Sequence, residues 1–256
     1  MTALKAWAPL RRTYWDPGTI QDFHGISSHS PTTVSFVAVR STDAPHNPVG
    51  DLVALPEPAC TAATVPLRQV LLERRSSNGF RGDMTQEEIG SLLGLAAGET
   101  GRTTFAGQEI RQLAYPTAGA ACAVSLHVWI QGTNSDLDGA LWRYIPQRHG
   151  LAERRPLPLQ ELEQCFAASY SGRVNISHIS LMCLITLRLD ILSPKYGARA
   201  YRLGHLEAGH LAQNLLLTAC AEGRASVPWG GFFDQLVTTS LALPSEEVCT
   251  YAVPIG

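Results

Sequence analysis

Two adjacent arginines followed by two serines form the first group of side chains that could bind a ligand. Arg74, Arg75, Ser76 and Ser77 precede the turn-forming pair Asn78-Gly79. Guanidinium groups bind phosphate through paired hydrogen bonds, and serine hydroxyls add short ones. The segment could therefore hold an anion. The alternative is that both arginines complement the C-terminal dipole of the preceding helix, and the spacing alone favours this alternative.

Lys195 and Tyr196 form a second group, within the basic and aromatic segment 193–202. A lysine beside a tyrosine in a partly buried site can act as a proton-transfer pair. A solvated loop is the alternative, and the segment taken alone favours the loop.

Two glycine-containing segments could border a flat ligand. Segment 115–121 contains Gly119, and segment 227–232 places Gly230-Gly231 between aromatic residues. Glycine lets the backbone approach a ligand closely because it has no side chain. Ordinary turns are the alternative in both segments.

Neither the histidines nor the cysteines indicate a metal site. His205 and His210 are five residues apart on a helix, so their side chains point about 140° apart and cannot share a metal. Hydrogen bonding in the core or at an interface is the better interpretation. The cysteines form no C-x-x-C pair and are expected to be free thiols in a cytoplasmic protein. They are Cys60, Cys122, Cys165, Cys183, Cys220 and Cys249.

The elements that must position these residues alternate between helix and strand. A helix begins near Pro66 and ends at Arg74, and a T-x-x-E capping box at Thr85 begins a second helix. Gly98 is expected to end that helix in the left-handed conformation. A long helix over 204–222 is apolar nearly all round, which indicates a core position or a large subunit interface. Strands are expected over 123–130, 141–145, 179–189 and 248–255. The class is α+β, or mixed α/β.

Composition divides the chain and excludes some partners. Residues 1–60 are rich in Pro, Ser, Thr and Asp, and we interpret them as an N-terminal extension with one strand over 32–39, followed by a main domain over 61–256. The formal charge of −2, with no long run of one sign, does not favour a nucleic-acid or anionic-membrane partner. No signal peptide or membrane span is apparent, so a cytoplasmic location is expected.

Taken together, the order and spacing of these segments resemble the nitroreductase superfamily. The closer resemblance is to the SagB-type dehydrogenases, which include the azoline oxidases of peptide natural-product pathways. It runs from about residue 20 to the end of the sequence, and its most specific parts are the R-R-S corner and the K-Y-G…E-x-G-H-x-x-Q-N block. The matching stretches are 23–24 (FH), 55–58 (LPEP), 71–77 (LLERRSS), 116–120 (PTAGA), 195–202 (KYGARAYR), 207–210 (EAGH), 213–215 (QNL), 230–232 (GGF) and 253–256 (VPIG).

This resemblance implies an α+β fold with an antiparallel-rich central sheet, and an obligate dimer, expected to be a homodimer, that binds FMN at its interface. By matching positions, the FMN phosphate and ribityl chain would contact Arg74, Arg75, Ser76 and Asn78. The isoalloxazine would lie near Pro116, Thr117 and Gly119, from the partner subunit, and would be bordered by Trp229, Gly230 and Gly231. Gln213 would lie on the interface helix. Lys195 and Tyr196 would stand at the active site.

Three departures from the family pattern concern the phosphate site and the glycine segment. Asn78 replaces a basic residue, residues 120–122 read Ala-Ala-Cys where an aromatic and a proline are common, and the sequence ends at Gly256 where relatives continue with a basic residue. The phosphate site is therefore expected to be weaker, or to be completed by one of three other arginines. These are Arg111, Arg199 and Arg202.

The function that the resemblance implies is FMN-dependent oxidation of a thiazoline or oxazoline to an azole. The substrate would be a peptide or a carrier-bound intermediate, acted on in a biosynthetic complex. Two alternatives stay open. One is an FMN-dependent dehydrogenase of another peptide, a diketopiperazine, or a nitro or quinone compound. The other is a degenerate, non-catalytic subunit that binds a partner.

Overall fold

The protein is described here from a computed structural model, which defines residues 52–58, 65–105, 108–167 and 172–256. Helices and strands alternate along these residues as the sequence predicts, and the α+β class is confirmed. In chain order the elements are β1 (Val53–Ala54), α1 (Leu67–Glu73), α2 (Gln86–Ala97), β2 (Glu99–Phe105), β3 (Gln108–Leu113), β4 (Val124–Ile130), β5 (Ala140–Ile145), β6 (Gly150–Pro156), α3 (Leu159–Gln164), β7 (Leu181–Arg188), α4 (Leu189–Tyr196), α5 (Arg199–Ala221), α6 (Asp234–Leu241) and β8 (Glu247–Ile255).

A six-stranded antiparallel sheet forms the centre of the fold, in the order β1-β6-β5-β4-β7-β8. Successive side chains of a strand point to opposite faces, so each central strand serves two cores. Val128 and Cys183 lie opposite each other and face the core under α2 and α5. The next pair, Trp129 and Met182, faces the core under α3 and α6. The near-continuous apolar sequence of β7 reflects burial on both faces.

The start of α2 follows the sequence, but its end does not. Thr85 Oγ1 accepts from the Glu88 N–H and Glu88 Oε2 accepts from the Thr85 N–H, which completes the predicted capping box. Gly98 was expected in the left-handed conformation, yet it is extended, with φ −66° and ψ 162°. That expectation was wrong because the chain continues directly into strand β2 instead of turning back.

The segment around Lys195 is helical, so the loop favoured by its composition is not what forms. Lys195 and Tyr196 end α4, and α5 begins at Arg199, five residues before the predicted start. Gly197, with φ 54°, supplies the left-handed turn between the two helices. Elements that the sequence did not reveal include the β2–β3 hairpin. Among the described residues its strands pair only with each other, and their mainly polar sequence carries no apolar alternation that would predict strands.

The end of the predicted extension is part of the main sheet. Val53 and Ala54 pair with β6, and Pro56 and Pro58 cross α2 at two of its glycines. A Cβ on Gly90 or on Gly94 would collide with the segment carrying Pro56 and Pro58. The strand expected over 32–39 and the Phe23-His24 match lie outside the described residues, and the boundary at residue 60 remains a prediction.

Two further features concern the chain as a whole. The described helices include none with the length and apolar character needed to cross a membrane. The five cysteines in the described residues are free thiols, and Cys60 lies outside them.

Candidate functional site

Helix α5 links the two groups of side chains that could bind a ligand. Its 23 residues make it about 34 Å long. Glu207, in its first half, contacts residues 116–122, which we call the glycine loop. Near its end, the Cys220 thiol lies 3.8 Å from the Val70 carbonyl oxygen of α1. Residues 74–78, which we call the arginine corner, follow α1 directly. The part of α5 between these two contacts is about 20 Å long, so the loop and the corner of one chain lie that far apart along α5.

The glycine loop is conformationally strained and lies against the Lys195–Tyr196 pair. Gly119, Ala120 and Cys122 have φ values of 59°, 57° and 50°, in a region that residues with a side chain seldom adopt. A Cβ on Gly119 would collide with the Tyr196 hydroxyl and would lie 2.7 Å from Lys195 Nζ. The φ angle of Gly119 favours glycine, and a Cβ there would displace the ends of the Tyr196 and Lys195 side chains.

Lys195 and Tyr196 are close to each other as well as to the loop. Lys195 Nζ lies 5.3 Å from the centroid of the Tyr196 ring, within the range of a cation–π interaction. Both side chains are half-buried. The Lys195 ammonium and the Tyr196 phenol thus lie together beside the glycine loop, at Gly119, which has no side chain. The arrangement places two ionisable side chains next to each other beside the loop.

Glu207 is the residue that fixes the glycine loop from behind. Its Oε2 accepts from the Ala118 N–H at 3.0 Å, and its Oε1 accepts from the Val124 N–H at 3.3 Å. The side chain is 1% exposed, and burial raises the pKa of the carboxyl to about 7 despite these hydrogen bonds. Glu207 was not among the predicted site residues. The available signal was its place as the first residue of the E-x-G-H match.

The arginine corner is open by comparison, and its two arginines differ. The Arg75 guanidinium turns back and donates to the carbonyl oxygens of Leu72 and Arg74, both at 2.8 Å. For Arg75, the structure therefore shows the helix-end interaction that the spacing favoured. Arg74 is half-buried at the C-cap of α1, whereas Ser76 and Asn78 are exposed.

Backbone contacts fix the corner to the last residues of the sequence. The Ser77 N–H donates to the Ser226 carbonyl at 3.0 Å, and Ala225 and Gly256 exchange a pair of backbone hydrogen bonds next to it. Arg81, which was not among the predicted site residues, donates to the Gly223 carbonyl at 2.9 Å and is exposed. It is a further cation on the same segment as the corner.

The three arginines expected to complete the phosphate site lie elsewhere in the chain. Arg111, on β3, lines a cavity of about 40 Å³ together with Tyr115 and Cys122. Arg199 and Arg202 belong to the first turns of α5. All three are on the glycine-loop side, so within one chain they do not complete the arginine corner. The spacing of the sequence could not reveal this, because α5 separates the two regions.

The glycine pair 230–231 is exposed, while the tryptophan before it is not. Trp229 is 9% exposed, and its ring lies 5.4 Å from that of Phe166 in the core under α3 and α6. Its backbone exchanges two hydrogen bonds with Ala252. A Cβ at Gly230 or Gly231 would meet nothing within 4 Å. The indole expected beside a ligand ring is thus mainly a core side chain, whereas the two glycines face open space.

The remaining predicted positions are surface-accessible to different degrees. Gln213 and Pro116 are exposed, and Thr117 is half-buried. Asn214, beside Gln213, donates to the carbonyl oxygens of Ala96 and Ala114 and so ties α5 to the ends of α2 and β3. Gln213 is therefore free to face a second molecule, and Asn214 is structural.

The described residues contain no group of three or more His, Cys, Asp or Glu side chains arranged to hold a metal ion. His205 Nδ1 lies 2.7 Å from the carbonyl oxygen of Tyr201, one turn earlier in α5. This contact agrees with the hydrogen-bonding interpretation of His205.

Comparison with known proteins adds independent evidence. The chain is 27% identical to the nitroreductase-named protein MJ1384 of Methanocaldococcus jannaschii over 193 residues, which cover 75% of this chain and 91% of that protein. It is 25% identical to the microcin B17-processing protein McbC of Escherichia coli over 148 residues, or 54% of this chain and 52% of McbC. The fold also matches a chain of the E. coli microcin synthetase McbBCD complex with bound truncated pro-MccB17, with a TM-score of 0.59, 16% identity, and coverage of 95% and 94% of the two chains.

The family model provides the assignment. The model described as the nitroreductase family matches residues 71–256, which include both the arginine corner and the glycine loop. Members of this family are oxidoreductases that generally bind flavin. The chain belongs to the nitroreductase family.

Proposed function

We propose that this protein is an FMN-dependent oxidase that converts thiazoline or oxazoline rings to azoles on a peptide. The observation that carries the proposal is the packing of Gly119 against the Tyr196 hydroxyl and the Lys195 ammonium. The similarity to a microcin B17-processing protein supports a peptide as substrate and a biosynthetic pathway as the setting.

The donors of the arginine corner fit the FMN phosphate chemically. Arg74, Ser76 and Asn78 supply guanidinium, hydroxyl and amide donors at an accessible surface, and Arg81 adds positive charge nearby. The exposed Gly230-Gly231 pair leaves space for a flat ring to pass the backbone. When bound, FMN supplies the hydride acceptor for the oxidation.

A homodimer would bring the separated halves of the site together. One FMN has its phosphate and ring joined only by a short ribityl chain, whereas the corner and the loop of one chain lie about 20 Å apart along α5. The exposed apolar side chains of α1 and α5 support a second copy as the partner. They are Leu67, Leu71, Leu72, Tyr201 and Leu206. In this arrangement the corner of one protomer and the glycine loop of its partner enclose one cofactor.

The protein's own part in the reaction is proton transfer and orientation. Aromatisation of an azoline removes two hydrogens, one as a proton and one as a hydride. Lys195 as the free amine, or Tyr196 as the phenolate, accepts the proton from the ring α-carbon. The electron pair of that C–H bond becomes the new ring double bond as the hydride leaves the adjacent ring carbon. The strained glycine loop keeps the pair at a fixed distance from the ring, which is the condition for efficient proton transfer.

The test begins with the purified full chain. We expect a yellow protein that releases stoichiometric FMN on denaturation. We also expect a thiazoline-containing peptide incubated with it under air to lose two hydrogens, as measured by mass spectrometry. A colourless protein that cannot be reconstituted with FMN would contradict the proposal. Rapid bleaching of the flavin by NADH, without azoline oxidation, would assign the protein as a reductase instead.

A further inference from the structure

Glu207 presents its carboxylate to the backbone of the glycine loop, outside the set of residues assigned to cofactor or substrate. The two carboxylate oxygens accept from the Ala118 N–H, within the loop, and from the Val124 N–H, at the start of β4 just after the loop. The N–H of Ala123 also contributes to stabilising the ionised form. Between these attachment points lie Gly119 and Ala120, both left-handed. A single side chain thus closes the loop from inside the core.

Burying a carboxyl group at this depth costs free energy unless it forms compensating interactions. Glu207 is 1% exposed, on the face of α5 that otherwise buries residues such as Ala208, Leu211 and Leu215. An apolar residue would suffice for packing alone. What the carboxylate adds is a pair of acceptors for the N–H groups of Ala118 and Val124, on either side of the left-handed residues.

We propose that Glu207 is a positioning residue that holds the glycine loop against the Lys195–Tyr196 pair. The contact between the loop and the pair is made at Gly119, next to the Ala118 N–H that Glu207 accepts. The role in turnover rests on the proposed function of that pair, whereas the role in ordering the loop does not.

The charge state of Glu207 controls this contact. The ionised carboxylate offers acceptors on both oxygens, but the protonated acid carries an O–H that faces a donor. Burial is the main cause of the raised pKa of about 7. The titratable groups that interact with Glu207 across this region are Tyr115 and Cys122, and Arg111 lies beside them. Burial raises the pKa of the Cys122 thiol to about 11, so Cys122 remains neutral over the range in which Glu207 titrates.

The first test measures loop order without flavin or substrate. Glu207→Gln keeps the size of the side chain but places an amide donor against one loop N–H. Site-resolved alkylation by mass spectrometry should show Cys122, at the end of the loop, reacting at least tenfold faster in E207Q than in the parent protein. Cys183, buried in β7, should keep its rate and so exclude global unfolding. Glu222→Gln, at the other end of α5, is the matched control and should change neither rate.

Equal protection of Cys122 in E207Q and the parent protein would overturn the proposal. If E207Q does not fold, the same comparison can be made with Glu207→Asp, which keeps the charge but shortens the side chain. Unchanged reactivity of Cys122 in that variant would again overturn the proposal.

The second test uses the FMN-loaded enzyme and an azoline peptide. E207Q should lower kcat at least tenfold with KM changed less than twofold, because the loop positions reacting groups and does not hold the peptide. In the parent protein kcat should fall as pH drops below about 7, and this dependence should be absent in E207Q. A pH profile of the same shape in both proteins would overturn the role in turnover. Failure to oxidise any azoline would remove the proposed function but leave the alkylation result intact.

Discussion

The glycine loop and the arginine corner are two halves of one proposed site, yet they are built in opposite ways. The loop contains left-handed residues, closes around a buried carboxylate, and contacts Tyr196 and Lys195. The corner is largely exposed, and its Arg75 side chain donates to carbonyl oxygens at the end of its own helix. The contacts of the loop are therefore made within the single chain, whereas the proposal requires the corner to gain further contacts from FMN.

This difference suggests a division of labour. Groups that transfer a proton must be held within a few tenths of an ångström, which a strained and internally bonded loop provides. A phosphate site tolerates more freedom, because charge–charge attraction falls off slowly with distance. Changes in the loop should therefore affect the rate of the reaction, and changes in the corner should affect cofactor affinity.

The largest effect is expected from the pair at the loop. Lys195→Met and Tyr196→Phe should each lower kcat for azoline oxidation by about 100- to 10,000-fold, the usual range for loss of general acid–base catalysis. The FMN content of both variants should equal that of the parent protein. The measurement is turnover under air, with FMN released on denaturation as the control. Unchanged turnover in both variants would remove the pair from the mechanism.

A smaller effect on rate is expected from Gly119→Ala, because its methyl group would push Tyr196 and Lys195 out of place. A displacement of about 1 Å can cost about 100-fold in rate. Gly139→Ala is the matched control, since Gly139 also has a left-handed φ, 67°, but nothing lies within 4 Å of its Cβ position. Both variants should lose similar stability, and only Gly119→Ala should lose turnover. Equal turnover in the two would mean that the contact is not needed.

Substitutions in the arginine corner should change the affinity for FMN. Arg74→Ala should weaken FMN binding by about 10- to 100-fold, the loss expected for a hydrogen bond from a charged donor. Of all single changes we expect this one to weaken FMN binding most. Arg75→Ala should cost less than about threefold, because the Arg75 guanidinium is already engaged with Leu72 and Arg74. Fluorescence titration of the apoprotein with FMN measures both. A greater loss in Arg75→Ala than in Arg74→Ala would reverse the assignment.

The smallest effect concerns stability and Glu207. Its pKa is raised from 4.5 to about 7 in the folded protein. The folded state therefore binds this proton more tightly than the unfolded state does, so the free energy of unfolding falls as pH rises from 4.5 through 7. Between pH 6 and pH 8 the loss from this group should be about 1 kcal/mol. Urea unfolding of the parent protein and E207Q at both values measures it, and identical pH dependence in the two would contradict it.

Local sequence signals predicted the elements that depend on neighbouring residues. The capping box at Thr85 and Glu88 begins α2 as expected, since its hydrogen bonds close within four residues. The strands β4 and β7 were predicted because near-continuous apolar runs indicate burial on two faces. The edge strand β8 was predicted as well, although its first half is only partly buried. The β2–β3 hairpin was missed, because its stability comes from pairing between polar strands.

The sequence by itself determined the family, the α+β class and the residue types of both halves of the site, because these depend on the order and identity of residues. Only the tertiary structure decided which of them meet. It brings Gly119 to Tyr196, 77 positions away in the sequence, and it turns Arg75 back onto its own helix. It also shows Glu207 to be the acceptor of the loop N–H groups. Such contacts depend on how α5 packs across the sheet, and residue spacing carries no information about that packing.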